Sequence, residues 1–142
     1  MFLGILKKIQ IIKLFFFFHG NAGKLDNRVY KLNELSKLEI NYLIIAYRGF
    51  SGNEGKPTES GLYEDAKSAK IWLNNNGVKD KDIILYGESL GTAVAVDLAS
   101  KHKFAGIILE SPFTSMTRLA QKYYPIFPVK FLLKDKFDSI NK

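Results

Sequence analysis

The residues best suited to chemistry are Gly87-Glu88-Ser89-Leu90-Gly91, a G-x-S-x-G pattern set between a short apolar run, 83–86, and a stretch of helical composition, 90–99. At a strand-to-helix turn such a pattern has a mechanism: its glycines permit a sharp bend and leave room around the serine, whose hydroxyl then stands above the sheet. The start of the following helix adds a field that favours developing negative charge. The competing reading makes Ser89 an ordinary helix N-cap on a glycine-rich turn. A second segment, His19-Gly20-Asn21-Ala22-Gly23, closes the apolar run 14–18. A loop of small residues beside a reactive serine can lend one backbone N–H to a tetrahedral oxyanion while the residue after the serine lends another, which selects Asn21 and Leu90. The alternatives are a plain connecting loop and a phosphate cradle; the latter lacks the G-x-x-x-x-G-K-[ST] spacing.

A serine hydroxyl needs a base, and candidates are scarce. The chain has no cysteine and two histidines, His19 and His102. His102 lies far along the helix that opens at Ser89; at ~1.5 Å rise per residue it sits roughly 20 Å away, well beyond the ~3 Å that proton transfer requires. It reads as a solvated residue at a helix C-terminus. His19 falls at the end of a strand where ligands of open α/β sheets gather, which leaves it as a surrogate base. The lack of cysteine excludes disulfides, thiolate zinc sites and a cysteine nucleophile, and fits a reducing compartment. No metal or cofactor is expected, and the location expected is cytoplasmic.

The elements that must position these residues follow from periodicity. Four nearly continuous apolar runs, 14–18, 42–46, 83–86 and 105–109, read as strands buried on both faces. They alternate with segments of helical period, which argues for parallel β-α-β units with helices on both faces of the sheet. Asp26 can cap a helix in which Val29, Leu32 and Leu35 share a face. Thr58 or Ser60 can cap another in which Leu62, Ala66, Ala69 and Leu73 form a stripe, with Gly77 as its stop. The stretch 90–99 is almost all small or apolar, so its helix should pack tightly on the sheet.

With these segments in hand the sequence carries a resemblance. His19–Gly23, Tyr47-Arg48-Gly49-Phe50-Ser51-Gly52-Asn53-Glu54-Gly55, Gly61-Leu62-Tyr63-Glu64-Asp65-Ala66, Gly87–Gly91 and Glu110-Ser111-Pro112-Phe113 together resemble the α/β-hydrolase superfamily, in its BEM-type and depalmitoylase-like branch. The resemblance implies a serine hydrolase of acyl esters or related bonds. Ser89 would be its nucleophile; Asn21 and Leu90 would form the oxyanion hole, with Gly20 and His19 in the oxyanion loop. It also places His19 outside the role of base. The departure is equally plain. In that family an acid and then a histidine follow the serine, whereas here only His102 follows Ser89 and no stretch matches the acid. Asp135 and Asp138 fall before the point where the acid-bearing strand would begin and read as structural. Strands ahead of 14–18 are also not found. The expectation is one partial α/β-hydrolase domain over residues 1–142, with about four strands. Its function would be that of a serine-hydrolase fragment; the alternatives are an inactive remnant or binding module, and one half of a split enzyme.

Composition narrows the partners. The chain has 142 residues, 46% hydrophobic and 25% charged, enough for one globular core and unlike a disordered chain. Its net charge of +7 comes from lysines spread over every segment, so no nucleic-acid partner is expected. The N-terminal apolar residues are cut by Lys7, Lys8, Gln10 and Lys13 and do not reach the ~18 needed to span a bilayer. Membrane association therefore has no clear anchor beyond a weak interfacial one. Residues 123–133 read either as a cap over the site or as a patch left exposed. The runs 42–46 and 105–109 would be apolar sheet edges, which calls for a complementing chain to cover them.

Overall fold

A computed structural model describes residues 2–5, 13–21, 29–38, 40–123, 134–140 and 142. Ala22, Gly23, the Asp26 cap and the segment 124–133 lie outside the described residues. Five strands form one sheet in the order β1-β3-β2-β4-β5. They are β1 (Phe2–Ile5), β2 (Leu14–Phe18), β3 (Asn41–Ile45), β4 (Ile83–Glu88) and β5 (Gly106–Glu110). The last four are mutually parallel, as their periodicity implies. The helices are α1 (Val29–Ser36), α2 (Glu59–Asn75), α3 (Leu90–Lys101) and α4 (Met116–Tyr123).

The sheet is covered on both faces. On one, Leu14, Phe16, Phe18, Leu43, Ile45, Ile83 and Leu85 join the α2 stripe Leu62, Ala66, Ala69 and Leu73 and the α3 residues Ala93, Val94 and Leu98 in a single core. The small residues of α3 are what let its backbone lie directly on β4 and β2. On the other face the α1 residue Lys31 lies over the rings of Phe17 and Tyr86, and Leu35 is the buried residue of that helix. For α2, Thr58 is the cap, extended at φ −83° and accepting from the Gly61 N–H. Beyond the helix, Gly77 turns the chain at φ +86°, while its own N–H and that of Val78 close on Asn74 and Leu73 carbonyls.

Two expectations need correction. A strand does precede Leu14: β1 pairs antiparallel with β3, Phe2 opposite Ile45 and Ile5 opposite Tyr42, so β3 is interior and not an edge. The run is only four residues long and is followed by Lys7 and Lys8, too short to display a period. The run 105–109 was expected to be buried on both faces, yet in β5 Ile107, Ile108 and Leu109 are 42%, 43% and 37% exposed. Its expected position at an edge of the sheet does hold, and no described strand pairs with its outer side. Among the described residues no helix is long and apolar enough to cross a membrane.

The turn Asp80–Asp82 leads the chain into β4, and its carboxylates hold it there. Asp80 accepts from Asn74 Nδ2 at 2.8 Å and pairs with Lys70 Nζ at 3.0 Å. Burial pushes this carboxyl up, but the bonds from Asn74 and Lys70 outweigh it and hold the group below its ordinary 3.8. A carboxyl depressed in the folded state stabilises above its unfolded pKa and ceases to do so as the pH falls through its folded pKa. Asp80→Asn is therefore expected to cost about 1 kcal/mol at pH 7. That cost should fade as the pH drops below the ordinary carboxylate value, which urea melts at neutral and acid pH would check.

Candidate active site

The candidate site is the turn between β4 and α3. Ser89 sits at φ +50° and ψ −114°, a conformation that costs a non-glycine residue roughly 1–3 kcal/mol and survives only where neighbours impose it. The neighbours here are specific. Ser89 N–H donates to the Glu110 carbonyl at 2.9 Å, tying the turn to the end of β5. The Ser89 carbonyl accepts from Thr92 N at 2.9 Å and from Thr92 Oγ1 at 2.6 Å. A side chain at Gly87 would meet Gly91 O and Thr92 Cα at 2.6 Å, and one at Gly91 would meet Phe18 O at 2.0 Å. Both glycines are thus required by close backbone approach, strand to helix. Ser89 is exposed and occupies the N-cap position of α3 without a side-chain capping hydrogen bond.

Gly20 brings the end of β2 alongside this turn. A Cβ built on it would lie 3.3 Å from Ser89 Cβ and 3.3 Å from the Glu88 carbonyl. Asn21 follows it and is exposed, while the Leu90 side chain is buried under the turn. Asn21 and Leu90 both line a cavity of about 390 Å³ with Phe50, Pro57, Met116 and Phe137, mostly apolar, with Lys134 and Asp135 also in its wall. Phe137 reaches this wall from the far end of the chain. Its N–H and that of Lys136 donate to Glu59 Oε2 at 2.9 and 2.8 Å, and Asp135 Oδ1 accepts from the Glu59 N–H at 2.8 Å. Asp135 is thus bound to the start of α2, in keeping with a structural role.

The two histidines part company. His102 is the C-cap of α3, the opposite end of the helix from Ser89, with its ring 6.2 Å from Phe104. His19 is 3% exposed, its ring 4.5 Å from Tyr47 and 5.4 Å from Phe50. Its Nδ1 lies 2.8 Å from the Gly20 carbonyl, which can only accept, so Nδ1 carries the hydrogen. The ring braces the loop that presents Gly20 and Asn21. Phe50 is itself delivered by a glycine-rich loop anchored by Arg48, whose backbone N, Nε and Nη2 all donate to Asp65 at 2.9, 3.0 and 2.7 Å.

A charged cluster beside the turn was not anticipated from the sequence. Lys31 Nζ donates to Glu88 Oε2 at 2.8 Å and to Glu110 Oε2 at 2.7 Å, and the Tyr86 hydroxyl also donates to Glu110. Burial alone would lower the Lys31 ammonium pKa; the bonds to Glu110 and Glu88 reverse this and raise it. Burial and the bond to Glu110 likewise raise the Tyr86 phenol. The one local signal was that each glutamate ends an apolar strand. Among the described residues no group of three or more His, Cys, Asp or Glu could hold a metal ion.

A parallel sheet with a tight serine turn at the C-terminal end of an inner strand is the architecture of an α/β hydrolase. The structure is similar to an α-β hydrolase from Vibrio vulnificus, with a TM-score of 0.78 and 25% identity, covering 89% of this chain and 50% of that one. In sequence the chain is 38% identical over 132 residues to human α/β hydrolase domain-containing protein 17B, covering 89% of this chain and 43% of that protein. It is 35% identical over 113 residues to bem46 of Schizosaccharomyces pombe, covering 77% of this chain and 38% of the relative. No family model matches. The chain belongs to the α/β-hydrolase superfamily, in the branch of bem46 and α/β hydrolase domain-containing protein 17B. It spans less than half the length of these curated relatives.

Proposed function

We propose that this chain carries the nucleophile and oxyanion half of a serine hydrolase acting on acyl esters or thioesters. The observation that carries the reading is Ser89 itself: exposed, held at φ +50° on a strand-to-helix turn, with Gly20 against its Cβ. Ser89 Oγ attacks the acyl carbon as a base takes its proton, and the Leu90 and Asn21 backbone N–H groups take the oxyanion. The ester C–O or thioester C–S bond breaks so that the alcohol or thiol leaves with that proton, and water then frees the acyl group, held meanwhile in the apolar cavity, from Ser89. The base comes from outside this set. His19 is committed to bracing its loop and His102 to the far end of α3. A complementing chain that pairs with β5 would bring the base and acid, a reading favoured by the exposed Ile107, Ile108 and Leu109. The partners proposed are thus an acyl-ester small molecule and that complementing chain, in a cytoplasmic setting.

A base positioned by an enzyme is worth ~10²–10⁴ in rate, so the chain alone should be slow. With imidazole supplied as the base, hydrolysis of 4-nitrophenyl butyrate is expected to exceed the Ser89→Ala background under the same conditions by about tenfold, a modest fraction of what a positioned base contributes. Equal rates for the chain and Ser89→Ala would refute the reading.

A further inference from the structure

We infer that Lys31 is a positioning residue: by bridging Glu88 and Glu110 it clamps the turn around Ser89 and ties α1 to it. The inference rests on reading Ser89 as the reactive hydroxyl. The register of β4 and β5 sets Glu88 opposite Glu110, so two carboxylates meet at the end of the sheet, and the bridging ammonium offsets their repulsion. Glu88 immediately precedes Ser89, and the Glu110 carbonyl is the acceptor for the Ser89 N–H. One ammonium therefore joins the residue before the strained serine to the residue that anchors its amide. The Glu88 arm is part-buried, with the Lys31 side chain 28% exposed and that of Glu88 19%, while the Glu110 arm opens to solvent, with the Glu110 side chain 43% exposed.

The second half of the clamp concerns α1. This helix is weakly seated: Leu35 is its buried residue, while Val29 and Tyr30 are 50% and 76% exposed. Lys31 supplies it with two charge-assisted bonds and lies 5.6 and 5.5 Å above the Phe17 and Tyr86 rings. The same side chain thus joins α1 to the ends of β4 and β5 that flank the serine turn.

The test is hydrogen exchange read by NMR in the whole chain. In Lys31→Met the Ser89 amide is expected to exchange about tenfold faster while Leu85 and Val94 keep their protection, and Lys31→Arg should stay within about twofold of the native chain. Fluorophosphonate labelling of Ser89 should fall by a similar factor in Lys31→Met. Unchanged exchange at Ser89, or an equal rise at Leu85 and Val94, would overturn the inference, the latter because it marks general destabilisation. Should Lys31→Met not fold, the double variant Lys31→Met with Glu110→Gln, which leaves one carboxylate fewer at the end of the sheet, must show the same local rise at Ser89. If the native chain forms no Ser89 adduct while the exchange contrast holds, the fault lies with the serine reading and the clamp stands.

Discussion

Gly91→Ala is expected to destabilise the chain by roughly 3–5 kcal/mol, the upper range for overpacking a core. The added methyl would stand 2.0 Å from the Phe18 carbonyl oxygen, 2.5 Å from its carbon and 3.0 Å from the His19 oxygen. All three are backbone atoms of an interior strand and the loop it feeds, so no side chain can rotate away to make room. The first turn of α3 would have to lift from the sheet, and with it go the Leu90 amide and the Thr92 contacts that fix the Ser89 carbonyl. Loss of the fold and loss of the site are therefore the same event. Gly106→Ala is the control, since a methyl there meets nothing within 4 Å. Its unfolding midpoint should stay within about 0.5 kcal/mol of the native value. Comparing the two by urea denaturation decides whether the G-x-S-x-G glycines serve close approach or only flexibility.

Much of this architecture could be read locally. The run 14–18 and the helices 59–75 and 90–101 declare themselves because their neighbours in space are also their neighbours in pattern: continuous apolar residues for a buried strand, a small-residue face for a helix pressed on a sheet. The serine turn was legible for the same reason, being a local bend with local glycine demands. What escaped was non-local. Strand β1 has four residues and gains its place only by pairing with β3. The exposure of β5 depends on what lies beside it, which its own sequence does not encode. Lys31 meets its two carboxylates 57 and 79 residues away in the chain, and nothing in its surroundings distinguishes it from the other lysines. Phe137 closes the cavity from a segment whose local reading concerned only its aspartates. The site's backbone was therefore foreseeable, whereas the side chains that brace and enclose it were not.

The largest effect on chemistry is expected at Ser89. Its hydroxyl is exposed, free of a capping role and set at a helix start where developing negative charge is favoured. In the proposed reading the turn positions the hydroxyl and no described side chain is assigned the part of its base. A diffusing base should therefore substitute for the missing one. With imidazole in the buffer, labelling by a fluorophosphonate is expected to accelerate about tenfold over the imidazole-free rate, a modest fraction of what a positioned base contributes. In Ser89→Ala labelling should be at least ~10²-fold slower, because among the described residues no other serine combines positive φ with a strand-to-helix turn and a glycine packed against its Cβ.

The most direct measurement is intact mass of the folded chain after exposure to the fluorophosphonate with imidazole present, beside Ser89→Ala treated identically. One phosphonyl adduct on the native chain and none on the variant is the result predicted. A folded native chain that stays unlabelled, or a variant that labels equally, would contradict the assignment of Ser89 as the reactive hydroxyl.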